Sequence, residues 1–326
     1  MNKELIEALN ILEKEKDISK ESLFEAIENN LVEGNKNNFN KADNVTVTMD
    51  RETGDFHIYS QKEVVEEVMD PVTEISLEDA RSIKGTYELG DIVNIEIQSK
   101  DFGRIATQSA KNGILQKIRE EERKSLYEQY FEKQDDIVTG IVQRINGKNI
   151  SVNLGKVDTV LMEKEQAKGE HFRPTERIKL YITEVKDNGR GPRIVVSRTH
   201  PGLVKRLFEQ EVTEIQDGTV EIKSIAREAG SRTKMAVWSN NEDVDAVGAC
   251  VGVNGARVNA VVDELRDEKI DIVNWSENPA ILIENALSPS KVVAVLADPD
   301  NKEALVVVPD FQLSLAIGKE GQNARL

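Results

Sequence analysis

The sequence predicts a multidomain α+β chain: a helical and mixed N-terminal domain, a small closed β-barrel, and two copies of one α+β module, the last of them incomplete. Three observations carry this. Apolar residues recur at helical spacing near the start and a long helical stretch follows; five short alternating runs then crowd into about sixty residues; and the tetrad Gly-x-x-Gly occurs twice, each time between an apolar helix and a second helix.

In chain order, Leu5, Leu9 and Leu12, then Leu23, Ile27 and Leu31, fall three and four residues apart, with Ser19 placed to cap the second helix, which predicts an amphipathic helix pair. Val45, Val47 and Met49 alternate with polar residues, Glu52-Thr53-Gly54 turns the chain, and Phe56 and Ile58 alternate again, giving a hairpin. A polar stretch leads to a strand over Ile92 to Ile97. From Phe102 to about Glu132 no proline intervenes, so one helix of roughly 45 Å is expected, acting as a strut between domains. Its charged run Arg119 to Lys124 reads as a solvated face.

Runs beginning at Ile137, Asn149, Val157, Arg177 and Arg193, punctuated by Asn146-Gly147 and Asn188-Gly189, have the count and rhythm of an OB-fold barrel. Lys186, Arg190, Arg193 and Arg198 near its last two strands suggest a phosphate track. His171, Phe172 and Tyr181 are candidate stacking partners, with Phe172 and Tyr181 at least as well suited to the core. Beyond it, two strand-like runs (Thr219 to Ala226, Thr233 to Trp238) precede the helix that ends at Gly252-Val253-Asn254-Gly255, and a helix and a strand (Ile270 to Trp275) follow. Lys291 to Ala297 and Ala304 to Val308 hold the matching places before Gly318-Lys319-Glu320-Gly321. This order resembles the prokaryotic-type (type II) KH fold, whose glycine turn clamps the backbone of single-stranded RNA by main-chain amides. After Gly321 only five residues remain, against twenty from Gly255 to Trp275, so the second module is expected to stop within its helix.

Net charge is −16, unusual for a nucleic-acid binder. Residues 1–131 carry 17 basic and 28 acidic side chains, residues 132–200 carry 13 and 10, and residues 201–326 carry 13 and 21. Only the barrel is basic, so binding by the last third must rest on local geometry more than on bulk attraction. The single cysteine, Cys250, lies in an apolar helix and reads as a buried small hydrophobe, and no disulfide or zinc framework can be built from it. No run of 18 apolar residues or charged-then-apolar leader is present, which predicts a cytoplasmic protein without a membrane partner. Enzyme motifs fail on spacing. Gly248-x-x-x-Gly252-x-x-Gly255 follows a helix where a dinucleotide turn follows a strand, Gly318-Lys319 is followed by Glu320 where a Walker turn needs Ser or Thr, and His57, His171 and His200 are scattered. No catalytic residue, cofactor or metal is expected.

Taken in order, the domains and the strings DRETGDF from Asp50, DFGRIATQSAK from Asp101, SRTHPGLVKRLFEQEV from Ser197, VGACVGVNGARV from Val247 and AIGKEGQNARL from Ala316 resemble the NusA family of bacterial transcription factors over essentially the whole chain. The resemblance implies residues 1–131 as an RNA polymerase-binding domain, 132–200 as an OB-fold RNA-binding barrel, 201–277 as a first KH domain and 278–326 as a second, truncated one. It implies a factor that joins RNA polymerase and single-stranded nascent RNA, together with other antitermination factors, and modulates pausing, termination and antitermination. Carried onto this chain, the RNA-binding residues are Gly252, Val253, Asn254 and Gly255 with Arg232, Lys234 and Arg257 beside them; Gly318, Lys319, Glu320 and Gly321 with Gln322, Asn323 and Arg325; and Arg190, Arg193 and Arg198 of the barrel. Arg104 is implied as a contact to RNA at the polymerase exit channel. Two departures stand out: the first tetrad lacks the basic interior residue common in the family, which predicts weaker binding, and Thr175 stands where glycine is common. The rival reading, a ribosome-associated or RNA-decay factor, shares KH and OB modules but not the acidic helical head.

Overall fold

The computed structural model describes residues 2–16, 18–38, 44–96, 102–189 and 191–326; the side chains of 2–5, 15–16, 33–38, 56, 102–107, 109 and 110 are not described. The Arg190 site and the Arg104 side chain therefore lie outside the described residues. The chain divides into two compact units, residues 1–125 and 126–326.

In the first unit, helices α1 (Asn2–Lys16) and α2 (Lys20–Asn38) bury Leu9, Leu23, Phe24, Ile27 and Leu31 against Val47, Met49 and Ile58 of strands β1 (Val45–Met49) and β2 (Phe56–Val65). Ser19 caps α2 as expected, its hydroxyl accepting from the Ser22 amide. The hairpin turn is held by the Asp50 carboxylate, which accepts from the amides of Glu52 and Thr53. Arg51 next to it pairs with Glu21 and Glu28 of α2 and lies over the Phe24 ring. The polar stretch hides two elements that the periodicity did not predict: β3 (Glu74–Ser76), parallel to β2, and helix α3 (Leu77–Ile83), capped by Ser76. β4 (Ile92–Glu96) runs antiparallel to β2. Helix α4 (Phe102–Phe131) matches the expected long helix, and Ile114 and Ile118 on it pack into the core of this unit.

The second unit begins with the barrel. β5 (Ile137–Asn146), β6 (Asn149–Asn153), β7 (Asp158–Leu161), β8 (Arg177–Asp187) and β9 (Pro192–Ser197) pair in the order β7-β6-β5-β8-β9, all antiparallel. A Thr159 hydroxyl donating 2.6 Å to the Ile194 carbonyl bridges β7 to β9 and closes the ring. Alternation sends Val142, Val152, Leu180 and Val196 inward, and Tyr130 from the last turn of α4 plugs the barrel end, its hydroxyl donating to the Leu154 carbonyl.

The first α+β module follows: α5 (Pro201–Glu211), α6 (Thr213–Gln216), β10 (Val220–Glu228), β11 (Arg232–Ser239), α7 (Ala246–Val251), α8 (Ala256–Glu264) and β12 (Lys269–Asn274). β11 is central, antiparallel to β10 and parallel to β12. Its alternate residues Met235 and Val237 face the helices, burying Leu207, Phe208, Val261 and Leu265 with them. Cys250 lies in the same core, and burial pushes its thiol up to about 12, so it is inert there. The second module supplies α9 (Pro279–Ala286), the hairpin of β13 (Ala294–Asp298) and β14 (Glu303–Val307), α10 (Leu313–Ile317) and α11 (Gln322–Arg325).

Barrel and first module are joined by buried chemistry. Arg198, leaving β9, is 0% exposed. Its guanidinium donates to the Glu170 carboxylate, to the Lys179 carbonyl, and to both the carboxylate and the backbone carbonyl of Glu264 at the end of α8. Tyr181 of β8 lies in the module's core, stacked on His200 at 4.6 Å, and the His200 ring accepts from the Gly202 amide at the start of α5. Gly230, in the β10–β11 turn with φ +77°, passes so close to the barrel that a Cβ there would meet the Lys168 carbonyl oxygen at 2.1 Å.

Two outcomes test this description. Thr175 takes φ +71°, a left-handed conformation that a β-branched residue resists, so Thr175→Gly should raise stability by about 1 kcal/mol, read as a higher denaturation midpoint; a lower midpoint would contradict the strain. Arg198→Met strands the buried Glu170 carboxylate and should cost about 3–5 kcal/mol, with Glu170→Gln in the same chain recovering part of the loss.

Candidate nucleic-acid interface

The two glycine turns are built alike. Gly252 (φ 72°, ψ 175°), Asn254 (φ 53°, ψ 26°) and Gly255 (φ 76°, ψ 14°) are matched by Gly318 (75°, 172°), Glu320 (55°, 26°) and Gly321 (74°, 12°). The positive φ of the first glycine ends the incoming helix, and that of the last starts the outgoing one, so each conformation needs glycine. Both turns point to solvent: Val253 is 84% exposed, and Asn254, Lys319 and Glu320 are exposed with it. They are not wholly bare, however. The Gly252 amide donates to Gly248, that of Gly255 to Gly252 and that of Ala256 to Val253, with Gly318, Gly321 and Gln322 repeating the pattern. The donors left for a phosphate are the central amides, those of Val253 and Asn254 and of Lys319 and Glu320.

The residue five places after each opening glycine braces the turn. A Cβ on Gly252 would strike Arg257, and one on Gly318 would strike Asn323. Arg257 donates to the Ala249 carbonyl at the end of α7 and pairs with Glu214 of α6 at 2.8 Å. Asn323, 3% exposed, donates to the Leu315 and Ala316 carbonyls at the end of α10. Each caps the helix that enters the turn.

Several cations expected at the RNA surface are instead engaged by other protein groups, Arg198 and Lys234 of them buried. Arg198 is the buried joint described above. Lys234 is 5% exposed because the second module docks over it; its ammonium donates to the Ala286 and Asn323 carbonyls, and burial lowers its pKa. Arg232 pairs with Asp271 at 2.6 Å across β11 and β12. Gln322 donates to Glu228 and Ser231, and Arg325 pairs with Glu228. Arg198, Lys234, Gln322 and Arg325 bind module to module, whereas the Arg232–Asp271 pair lies within the first module. Asn323 and Lys234 are withdrawn from solvent by that docking, which a one-dimensional reading cannot see. Of the stacking candidates, Phe172 and Tyr181 are buried and His171 alone is exposed. Arg193 and Lys319 remain exposed.

What the sequence did not reveal is a cleft of about 670 Å³ where the three modules meet. Lys164 and Lys168 of the barrel, Glu228 and Ser231 of the first module, and Lys319, Glu320 and Arg325 of the second line it. The only sign of it in the sequence is the spacing of Lys164 and Lys168, four residues apart. Glu228 stays ionised there, its pKa lowered to about 2 by Arg325 and then Gln322, and it offsets part of this charge. A second cleft of about 690 Å³ runs along edge strand β12, lined by Val247, Ile272 and Val273 together with Asp245, Glu284 and Lys291. Among the described residues no group of His, Cys, Asp or Glu could hold a metal, and no helix is long and apolar enough to cross a membrane.

Comparison with known proteins matches the chain along almost all of its length. Residues 4–124 match the NusA N-terminal domain, 132–197 the S1 RNA binding domain, 198–275 the NusA-like first KH domain and 279–326 the NusA-like second KH domain. The transcription termination/antitermination protein NusA of Bacillus subtilis is 55% identical over 326 residues, all of this chain and 88% of that one. That of Halalkalibacterium halodurans is 56% identical over all of this chain and 85% of its own. A solution structure of the N-terminal domain of the B. subtilis protein is 53% identical, covering 38% of this chain and 99% of that one, with a TM-score of 0.35.

Because Glu228 is depressed in the folded chain, its contact with Arg325 contributes above the ordinary carboxylate value of 4.5 and is lost as pH falls through about 2. Arg325→Met should return Glu228 toward 4.5 in a carboxyl NMR titration. A carboxylate that still titrates near 2 would mean Arg325 is not its partner.

Proposed function

The chain belongs to the NusA family, and on that premise we propose that it is an RNA-binding transcription factor that associates with RNA polymerase and nascent RNA in the cytoplasm and modulates pausing, termination and antitermination. The observation that carries the RNA half is the repeated turn: two Gly-x-x-Gly bends with the same torsions, both exposed, each offering two central amides. A phosphodiester has no sequence information to read at such a bend, so the turns hold the strand while neighbouring grooves meet the bases. The cleft of Lys164, Lys168, Lys319 and Arg325 lies beside the second turn and suits the continuing backbone. The glycine tetrads, Lys319 and Arg193 form the proposed contact set. Arg198, Lys234, Arg257 and Asn323 support it by fixing the positions of the elements that carry the turns.

Residues 1–131 are proposed as the polymerase-contacting domain, with 132–200 the RNA-binding barrel and 201–277 and 278–326 the two clamp modules. The scarcity of free cations at the turns goes with modest affinity. At about 0.7 per phosphate for single strands, two or three direct contacts give a log–log salt slope near −2.

Replacing Val253 and Asn254 together by Asp places negative charge at the first pair of amides. Binding of a single-stranded RNA, followed by fluorescence anisotropy, should weaken by about tenfold, and Lys319→Glu should act similarly at the second turn. Unchanged affinity in both variants would remove the turns from the RNA path. Capture of RNA polymerase by the full chain tests the other half; capture of ribosomal subunits or nucleases in its place would overturn it.

A further inference from the structure

The outer face of the first module's sheet carries a cluster that the RNA reading does not use. Along β11, Met235 and Val237 face the helices, whereas Lys234, Ala236 and Trp238 face away from them. The second module covers the Lys234 end of this face. At the other end Trp238 is 43% exposed and meets Trp275 edge to face, with ring centroids 5.9 Å apart and planes at 85°. Trp275 is fixed there because its amide donates 2.8 Å to the Val237 carbonyl, extending the parallel pairing of β12 with β11. Lys223 brings its ammonium to 5.6 Å from the centre of the Trp275 ring. Glu221, directly opposite Trp238 in the β10–β11 register, pairs with Lys223 and accepts from the Asn240 side chain. Two perpendicular indoles with a carboxylate at the rim form a half-open aromatic cage, and the chain itself supplies a cation to it, Lys223.

A tryptophan face attracts a cation through its quadrupole, and the attraction grows when a nearby carboxylate adds to it. The clamp turns lie on the helical side of this sheet, so a strand held at Gly252 to Gly255 is on the other side of the module from Trp238. Residues 201–326 carry 21 acidic and 13 basic side chains, which adds to the attraction of Glu221 for a cationic visitor at this face. We propose that Trp238, Trp275 and Glu221 form a docking site for an arginine- or lysine-bearing segment of a partner protein, with Lys223 as the resident cation that the incoming side chain displaces.

The test is direct because these are the only two tryptophans in the chain. Titration of the full chain with a short arginine-rich peptide lacking aromatic residues should change its tryptophan fluorescence saturably. Trp238→Leu should weaken that binding by about three- to fivefold, and Glu221→Gln should weaken it as well. Lys223→Met is the decisive variant: it removes the competitor and should tighten peptide binding, a gain that misfolding cannot imitate. If Lys223→Met weakens or leaves unchanged the response to the peptide, the cage is not a cation site. If a single-stranded oligoadenylate produces the fluorescence change while the peptide does not, the platform stacks bases and the proposal is overturned. Neither result bears on the clamp variants, which are read by anisotropy at another site.

Discussion

The arrangement of the second unit depends on one buried guanidinium. Arg198 sits at the point where the barrel's last strand hands the chain to the first clamp module, and it is held by carboxylates and carbonyls from both sides of that joint. Removing such a charge from water is expensive, and the cost is met only where every donor finds an acceptor in good geometry. Arg198 also lies over the Phe172 ring at 5.4 Å, so the same side chain seals the barrel. The consequence is directional: the guanidinium donates to Glu170 and to Glu264 at once, and this sets where α8 and the turn before it lie relative to the barrel.

The second joint works by a different means. Lys234 donates to two backbone carbonyls and to no carboxylate, and burial lowers its pKa against the opposing field of Asp271 on the next strand. Gln322 and Arg325 add contacts to Glu228 at the rim, where solvent screens them. The clamp modules are thus locked to each other by polar groups taken from the flanks of the second turn. Residues beside a binding element have been used to position it, while contact with a ligand is left to the backbone of the turn and the few exposed cations around the junction cleft.

Much of the fold was legible because its signals are local. The hairpin at Asp50 to Gly54, the five barrel strands and both glycine turns follow from alternation and from residues that only one backbone conformation suits. β3 and α3 were not legible: a three-residue strand and a seven-residue helix whose only buried residue is Ala80 leave no periodic trace. The site divides the same way. Glycines could be assigned because positive φ is a property of the residue itself, but whether Lys234 or Asn323 faces RNA or protein depends on which surface docks upon it. One signal could have corrected the reading. Arg257 and Asn323 stand at the same offset from their glycines, and a position occupied by such different side chains in two copies of one turn suits capping of the incoming helix better than it suits phosphate binding.

The central claim is that the middle amides of the two turns hold the ribose-phosphate backbone. Isotope-labelled full chain, observed by amide NMR as a short single-stranded RNA is added, addresses it at the atoms concerned. The account predicts that the amides of Val253, Asn254, Lys319 and Glu320 show the largest downfield shifts, as amides do on gaining a phosphate acceptor. Shifts confined to the barrel surface or to the Trp238 face, with these four amides unmoved, would contradict it.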